Sequence, residues 1–395
     1  MKRIPRYVVA ELLQVLLLTL AGMTLFMLLV GAAREGVRQG LGLGPILRLV
    51  PYILPEALRF SVPATMLLSV CSVFGRMSAD NEVVALKSLG ITPQVIVVPA
   101  LVMAFLVSLI AVWLNDLAVS WGRQGVQRVV IESVEQIAYG MLRTQRSYVT
   151  RRFSITVQRV EGQTLVRPTV TFQGSAEDPP VTLTAAEAQL RRNPQDNTLS
   201  IFLTDGTIDV GDKLSLAFPD TIERAIPLAD ASRQGDGSSS PSQIALRRIA
   251  AEVARQRQRV AALERSLATR AAYQLLTGDF RQLSDPDWHA READLVDARG
   301  RLCRLEAEPW RRWANGFSCF FFVVLGAPLA IQMRSANLFT SFAACFLPIL
   351  LVYYPLLAYG VDRAKEGALH PSVVWLGNAI LLAGGLWMLR RVVRF

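Results

Sequence analysis

The sequence predicts an α-helical polytopic membrane protein with six transmembrane helices, an extracytoplasmic antiparallel β domain of jelly-roll type, and an inserted helical hairpin. Three observations predict it. The 395 residues are 52% hydrophobic with a mean hydropathy of +0.33, yet 42 are basic and 32 acidic, so apolar and charged stretches alternate. Apolar runs able to cross a hydrocarbon core, which takes about 20 residues at 1.5 Å rise, fall into two groups of three. Between the groups, residues 115–316 hold no run of that length.

The first group is Leu12–Ala33, Leu58–Phe74 and Val95–Leu114, within a region 1–120. The second is Phe317–Ile331, Leu338–Tyr359 and Val373–Leu389, within 310–395. The second and fourth runs are short by hydropathy and extend through polar flanks at Arg59 and Trp313. The small residues Gly31–Ala33 resemble a signal-peptide cleavage site, but the run before them is too long and five more spans follow. The basic ends "MKRIPRY" and "RRVVRF", with Arg76, Lys87 and Arg334 in short loops, place both termini in the cytoplasm. Arg34, Arg38, Arg48, Arg363 and Lys365 pull the other way from the opposing loops. The central region is then extracytoplasmic.

Between the second and third runs lies "FGRMSADNEVVALKSLGITPQ", Phe74–Gln94. Ala79, Val83, Leu86 and Gly90 share one side of a short helix at about 78–90. Asp80 is placed to cap its start, and Gly90 with Pro93 to stop it. Glu82 flanks the apolar stripe. An element tethered so closely to two spans either lies in the membrane surface or docks into a cytoplasmic partner and tilts both spans.

From 140 to 230, stretches such as "FSITVQRV", "PVTLTAAEAQL" and "NTLSIFLTDGTIDV" alternate apolar and polar residues between turn-rich segments, the pattern of an antiparallel β domain. Its apolar face suits a lipid groove or an ordinary core equally. After the linker "ADASRQGDGSSSPS" the period changes. Leu246, Ile249, Val253, Val260, Leu263 and Leu267 keep a/d spacing with Gln256 interrupting; Trp288, Leu295, Ala298, Leu302 and Leu305 form a second arm with Arg291 interrupting. The pair predicts a hairpin over 242–308 that buries its own apolar seam.

Enzyme signatures are missing. "GTIDVGDKLS" fails the phosphate-loop spacing, and "GLGLG" at Gly40–Gly44 follows a span rather than a strand. His289 and His370 are isolated, and the four cysteines form no disulfide framework. No catalytic residue, metal or cofactor is expected, and any nucleotide energy must come from another polypeptide. Arg34 and Arg38, one turn apart at the outer end of the first span, suit an anionic phosphorylated headgroup or interfacial snorkelling. Glu56 and Arg59 are spaced to pair with each other.

The order of three spans, β domain and three spans, together with "LPEALRFSVPATMLLSVCSVFGRMSADNEVVALKSLGIT" and "RLEAEPWRRWANGFSCFFFVVLGAPLAI", resembles the LptF/LptG (YjgP/YjgQ) family of permeases. The resemblance covers nearly the whole chain; the hairpin departs from it. It implies the permease part of an ABC transporter that takes lipopolysaccharide from the outer leaflet of the bacterial inner membrane and passes it to a periplasmic bridge. The implied partners are a cytoplasmic LptB-like ATPase dimer, a second LptF/LptG-type subunit, an LptC-like single-span adaptor, the bridge and lipopolysaccharide; nucleic acid is not among them. Glu82, Val83, Leu86, Leu89 and Gly90 then fall in the family's coupling helix, Arg34 and Arg38 are candidate substrate contacts, and the first and fifth spans form a lateral gate. Two alternatives remain: a permease for another envelope lipid or lipoprotein, and a membrane scaffold that transports nothing.

Overall fold

The structure of the protein, a computed structural model, describes residues 3–39, 43–132, 134–149, 153–172, 181–193, 198–210, 214–227, 240–278, 285–333 and 337–394. These form two compact units, one of residues 1–27, 54–122 and 239–395, the other of 28–53 and 123–238.

Six helices among the described residues are long and apolar enough to cross a membrane: Arg3–Arg34, Ile46–Ala79, Gln94–Gly122, Pro286–Met333, Phe339–Lys365 and Pro371–Val392. Each of the six predicted runs overlies one of them. The helices are α1 (Arg3–Gln39), α2 (Leu43–Ala79), α3 (Glu82–Ser88) and α4 (Gln94–Leu117). A π turn at Ala118–Gly122 leads from α4 into α5 (Arg123–Glu132) and then α6 (Val134–Gln145). After the strands come α7 (Leu246–Thr277), α8 (Pro286–Met333) and α9 (Leu338–Pro348). A second π turn, Ile349–Tyr353, joins α9 to α10 (Tyr354–Lys365), and α11 is Leu376–Arg394. The fourth span and the arm that carries Trp288–Leu305 are thus one helix of 48 residues.

In the helical unit the main core joins Leu12 and Leu16 of α1, Met66, Leu67, Val70 and Phe74 of α2, Ile96 and Ala100 of α4, and Phe322, Val323 and Ala327 of α8. Small residues let the helices close. At Gly316 an added Cβ would sit 3.0 Å from the Val112 backbone, so α8 and α4 touch where glycine removes the side chain. Ser78 Oγ, buried at the end of α2, donates to Ile331 O at 2.6 Å.

Among the described residues of the other unit, nine strands form one antiparallel sheet. They are β1 (Ser147–Val149), β2 (Phe153–Thr156), β3 (Arg159–Glu161), β4 (Thr164–Val166), β5 (Thr169–Phe172), β6 (Val181–Asn193), β7 (Thr198–Val210), β8 (Leu214–Phe218) and β9 (Ile222–Pro227). The long strands β6 and β7 pair from Val181↔Val210 to Asn193↔Thr198. β6 is shared by β5 and β4, and β7 by β8 and β9. Buried residues on β6 change parity, from Leu183 and Ala185 to Ala188 and Leu190. A regular strand keeps its inward residues two apart. The change falls opposite Asp205, whose φ of 50° lies in the left-handed region that Asp tolerates better than most residues. The apolar face packs on Ala138 and Leu142 of α6.

Candidate functional site

Three places carry the chemistry. The first is α3 with its flanks. Asn81 (φ 59°), not Asp80, stands at its N-cap, and no side chain caps it. Gly90, at φ +74°, ends it: Gly90 N–H donates to Lys87 O and Ile91 N–H to Leu86 O, the closure in which glycine takes the left-handed position. Val83 is 4% exposed and belongs to the main core, with Leu86 packed against it. Val83 and Leu86 of the predicted stripe therefore face the protein's own interior. Leu89 (74% exposed), Val84 (42%) and Gly90 point outward, and Glu82 is half-buried between the two sides. Helical spacing reveals an apolar stripe but not whether it meets the chain itself or a partner, and the reading from spacing missed Val84 for that reason. Just before α3, Arg76 in the last turn of α2 pairs with Glu11 of α1, and Lys87 Nζ of α3 itself donates to Val392 O of α11 at 3.0 Å.

The second place is a buried ionic joint that spacing could not reveal. Glu308 and Arg312 of α8 are each 3% exposed. Arg311 Nη2 donates to Glu308 Oε1 at 2.6 Å, and Arg312 Nε to the same oxygen at 3.2 Å. Arg312 Nη1 reaches Asp116 Oδ1 of α4 at 3.2 Å, and its Nη2 donates to Ile244 O at 2.7 Å. The Leu246 N–H, at the start of α7, donates to the same Asp116 oxygen at 2.7 Å, so a carboxylate from α4 satisfies one of the orphan donors of α7. Along the arms, Ile249, Val260, Ala298 and Leu305 are buried, and Gln256 Nε2, the polar interruption, donates to Ala298 O at 2.9 Å. The base of the two arms is bonded to α4 through Asp116 and to α8 through Arg312.

Beside this joint lies the third place, a half-open cavity of about 160 Å³ within the helical unit. Arg59, Phe60 and Leu67 of α2, Asn115 of α4, Asn315, Ser318 and Phe322 of α8, Phe346 of α9, and Tyr353, Tyr354 and Leu357 of the π turn and α10 line it. Arg59 Nη1 lies 3.8 Å from Glu56 Oε1, as their spacing suggested, and its guanidinium sits 5.2 Å from the centre of the Phe60 ring. Polar side chains inside a spanning unit are costly and are retained where they act. A small cavity with a cation, two amides and three hydroxyls facing aromatic and aliphatic walls suits an amphipathic guest, not catalysis.

The lipopolysaccharide export system permease LptF/LptG family matches residues 6–391. The chain belongs to the LptF/LptG family. No curated protein matches it. Family and fold together make it a multi-pass membrane protein and a transporter component rather than an enzyme. Of the other expected site residues, Arg34 is exposed near the end of α1, in the unit that holds the sheet. Arg38 follows one turn later on the same helix, with its side chain outside the described set. Among the described residues no cluster of His, Cys, Asp and Glu could hold a metal ion.

Proposed function

We propose that this chain is a permease subunit of an ABC transporter that lifts lipopolysaccharide from the outer leaflet of the bacterial inner membrane and passes it to a periplasmic bridge. The family match over residues 6–391, lying on six apolar helices, carries the reading. Both termini and α3 lie in the cytoplasm, and the sheet, a jelly roll in this reading, lies in the periplasm with α7 and the first half of α8. Two copies of a cytoplasmic ATPase drive the transporter, a second LptF/LptG-type subunit completes it, and a single-span adaptor joins. α3 docks into the ATPase through its outward side, Val84 and Leu89, with Glu82 at the rim. Arg34 and Arg38 meet the phosphorylated headgroup.

Affinity purification in mild detergent, with identification of bound proteins and lipid, tests the whole reading. Glu82→Lys should weaken ATPase retention more than Glu82→Ala, since a charge-assisted contact is worth about 1.5–3 kcal/mol. Leu89→Asp should lose the ATPase while the subunit stays monodisperse. Val83→Asp should lower the yield of folded protein itself, because Val83 is in the core. Full ATPase retention by the Leu89→Asp and Glu82→Lys variants would remove α3 from the interface.

A further inference from the structure

The helix α7 carries seven arginines and only two glutamates. Both glutamates are engaged: Glu252 pairs with Arg255 at 2.9 Å, and Glu264 with Arg299 of α8 at 2.7 Å. Arg257 reaches across to Glu306 of α8 at 2.6 Å. Of the remaining arginines, Arg247, Arg248, Arg259 and Arg265 are exposed and have neither an ion pair nor a hydrogen bond among the described residues. Uncompensated like charges along one helix repel one another and weaken it. These four therefore give the fold nothing.

Their setting narrows what they can meet. They stand off the seam of Ile249, Gln256 and Val260 that α7 buries. Around them lie the exposed Ala250, Ala251, Ala254 and Ala262, too short to shield a guanidinium. From Arg247 to Arg265 the row climbs about 27 Å at 1.5 Å per residue. Its foot is fixed, because the Leu246 N–H is held by Asp116, the penultimate residue of α4, and Ile244 O by Arg312 of α8. The cations thus rise from the level at which α4 ends. No large apolar side chain of α7 is exposed before Tyr273. A protein partner would need such an anchor, since the energetic centre of a protein interface is aromatic and aliphatic and poor in charge. A flexible polyanion needs none, and a guanidinium takes a phosphate through two parallel hydrogen bonds.

We propose that the exposed face of α7 is a binding surface for the phosphorylated saccharide of a lipopolysaccharide headgroup, whose phosphates meet Arg247, Arg248, Arg259 and Arg265. The inference rests on the permease reading, with the hairpin in the periplasm, and adds to it a contact for the substrate's saccharide outside the spans.

The test uses the full chain in detergent and the water-soluble oligosaccharide left when lipopolysaccharide is fully deacylated, which keeps its phosphates and has no chains to enter the spans. The oligosaccharide carries a fluorophore, and its anisotropy is read as protein is added. Saturable binding is expected at about 0.05 M salt and should fade towards about 0.5 M, as the exposed cations are screened. The same oligosaccharide stripped of its phosphates should not bind. Replacing all four arginines with glutamine together should weaken binding roughly tenfold, the worth of several exposed charge contacts, and leave the melting midpoint unchanged. Arg257→Gln with Arg299→Gln, which removes two cations already paired within the hairpin, should change binding less than about twofold. Absence of binding at low salt, undiminished binding in the quadruple variant, or an equal loss in the paired-arginine control each overturns the surface. Tighter binding of a polyglutamate peptide than of the oligosaccharide also overturns it, in favour of an acidic protein. Whole lipopolysaccharide and an ATPase retained on affinity purification keep the permease reading standing through any of these failures. If the chain retains neither, that reading falls, and the oligosaccharide titration still decides the face of α7.

Discussion

Two tyrosines, one in each unit, are treated in opposite ways. Tyr139 of α6 is saturated: its hydroxyl donates to Gln163 O at 2.6 Å and accepts the Leu190 N–H at 2.9 Å, stitching the helix to the sheet it covers. Tyr353 is more deeply buried, and the hydroxyl beside it at the cavity wall is that of Ser318. The difference is one of how much cohesion a single hydroxyl supplies: Tyr139 joins a helix to backbone at Gln163 and Leu190 through its donor and its acceptor side, whereas Tyr353 has a side-chain neighbour alone. The helical unit is not loosely made for all that, since within a turn of Asn115 and Asn315 it holds the Arg312 joint with its donors well used.

The comparison breaks most visibly at that joint. Arg312→Ala takes the cation from half-buried Asp116, leaves Glu308 with Arg311 alone and strips Ile244 O of its donor, and should cost about 3 kcal/mol, read as a large fall in melting midpoint and in monodisperse yield from detergent. A mild effect would mean that the helical unit tolerates unmet polar groups generally. Next in size, Tyr139→Phe leaves the Leu190 N–H and Gln163 O without their hydroxyl and should cost about 1–3 kcal/mol, seen as faster proteolysis within residues 134–227. Tyr353→Phe, which gives up a contact with Ser318 alone, should cost less than Tyr139→Phe in the same assays, and equal losses in the two variants would erase the contrast.

The smallest effect is a dependence on pH. Burial pushes the Tyr139 hydroxyl above the usual tyrosine value, outweighing its hydrogen bond to Leu190. A group raised in this way favours its protonated form in the folded unit, so its contribution is complete below the unfolded value of about 10 and is lost as the pH climbs past it. The melting midpoint should therefore fall more steeply above about pH 10 in the wild type than in Tyr139→Phe. Parallel curves would mean that Tyr139 ionises equally easily folded and unfolded.

How much of this was legible in the sequence depended on the range of the interaction. The six spans were, because hydrocarbon thickness fixes their length and composition within one continuous run. The strands were legible as alternation, although the parity change on β6 opposite Asp205 was not, since it depends on a left-handed residue in the partner strand. For α3 the spacing revealed a stripe through Val83 and Leu86, but an apolar stripe beside a membrane has two destinations, and only membership of the main core chooses the inward one. Asp116 and Arg312 lie 196 positions apart, so no local pattern could join them. Tyr353 was hidden for a related reason: within an apolar run a tyrosine looks like any aromatic, and only packing brings its hydroxyl to Ser318 at the cavity wall.

The unbroken helix α8 has a mechanical consequence. Of its 48 residues, the 27 before Trp313 make an arm of about 40 Å and those from Trp313 to Met333 one of about 31 Å. The joint at Arg312 sits where the two arms meet, as a fulcrum would. The arm tilting by about 10° there, where Pro309 removes one backbone hydrogen bond of the helix, carries its far end about 7 Å sideways, while the residues beside the fulcrum, Asn315 and Ser318 of the cavity wall among them, barely shift. A rotation too small to notice at the cavity is thus a displacement larger than a helical pitch at Trp288, and the stitched base makes α7 travel with it.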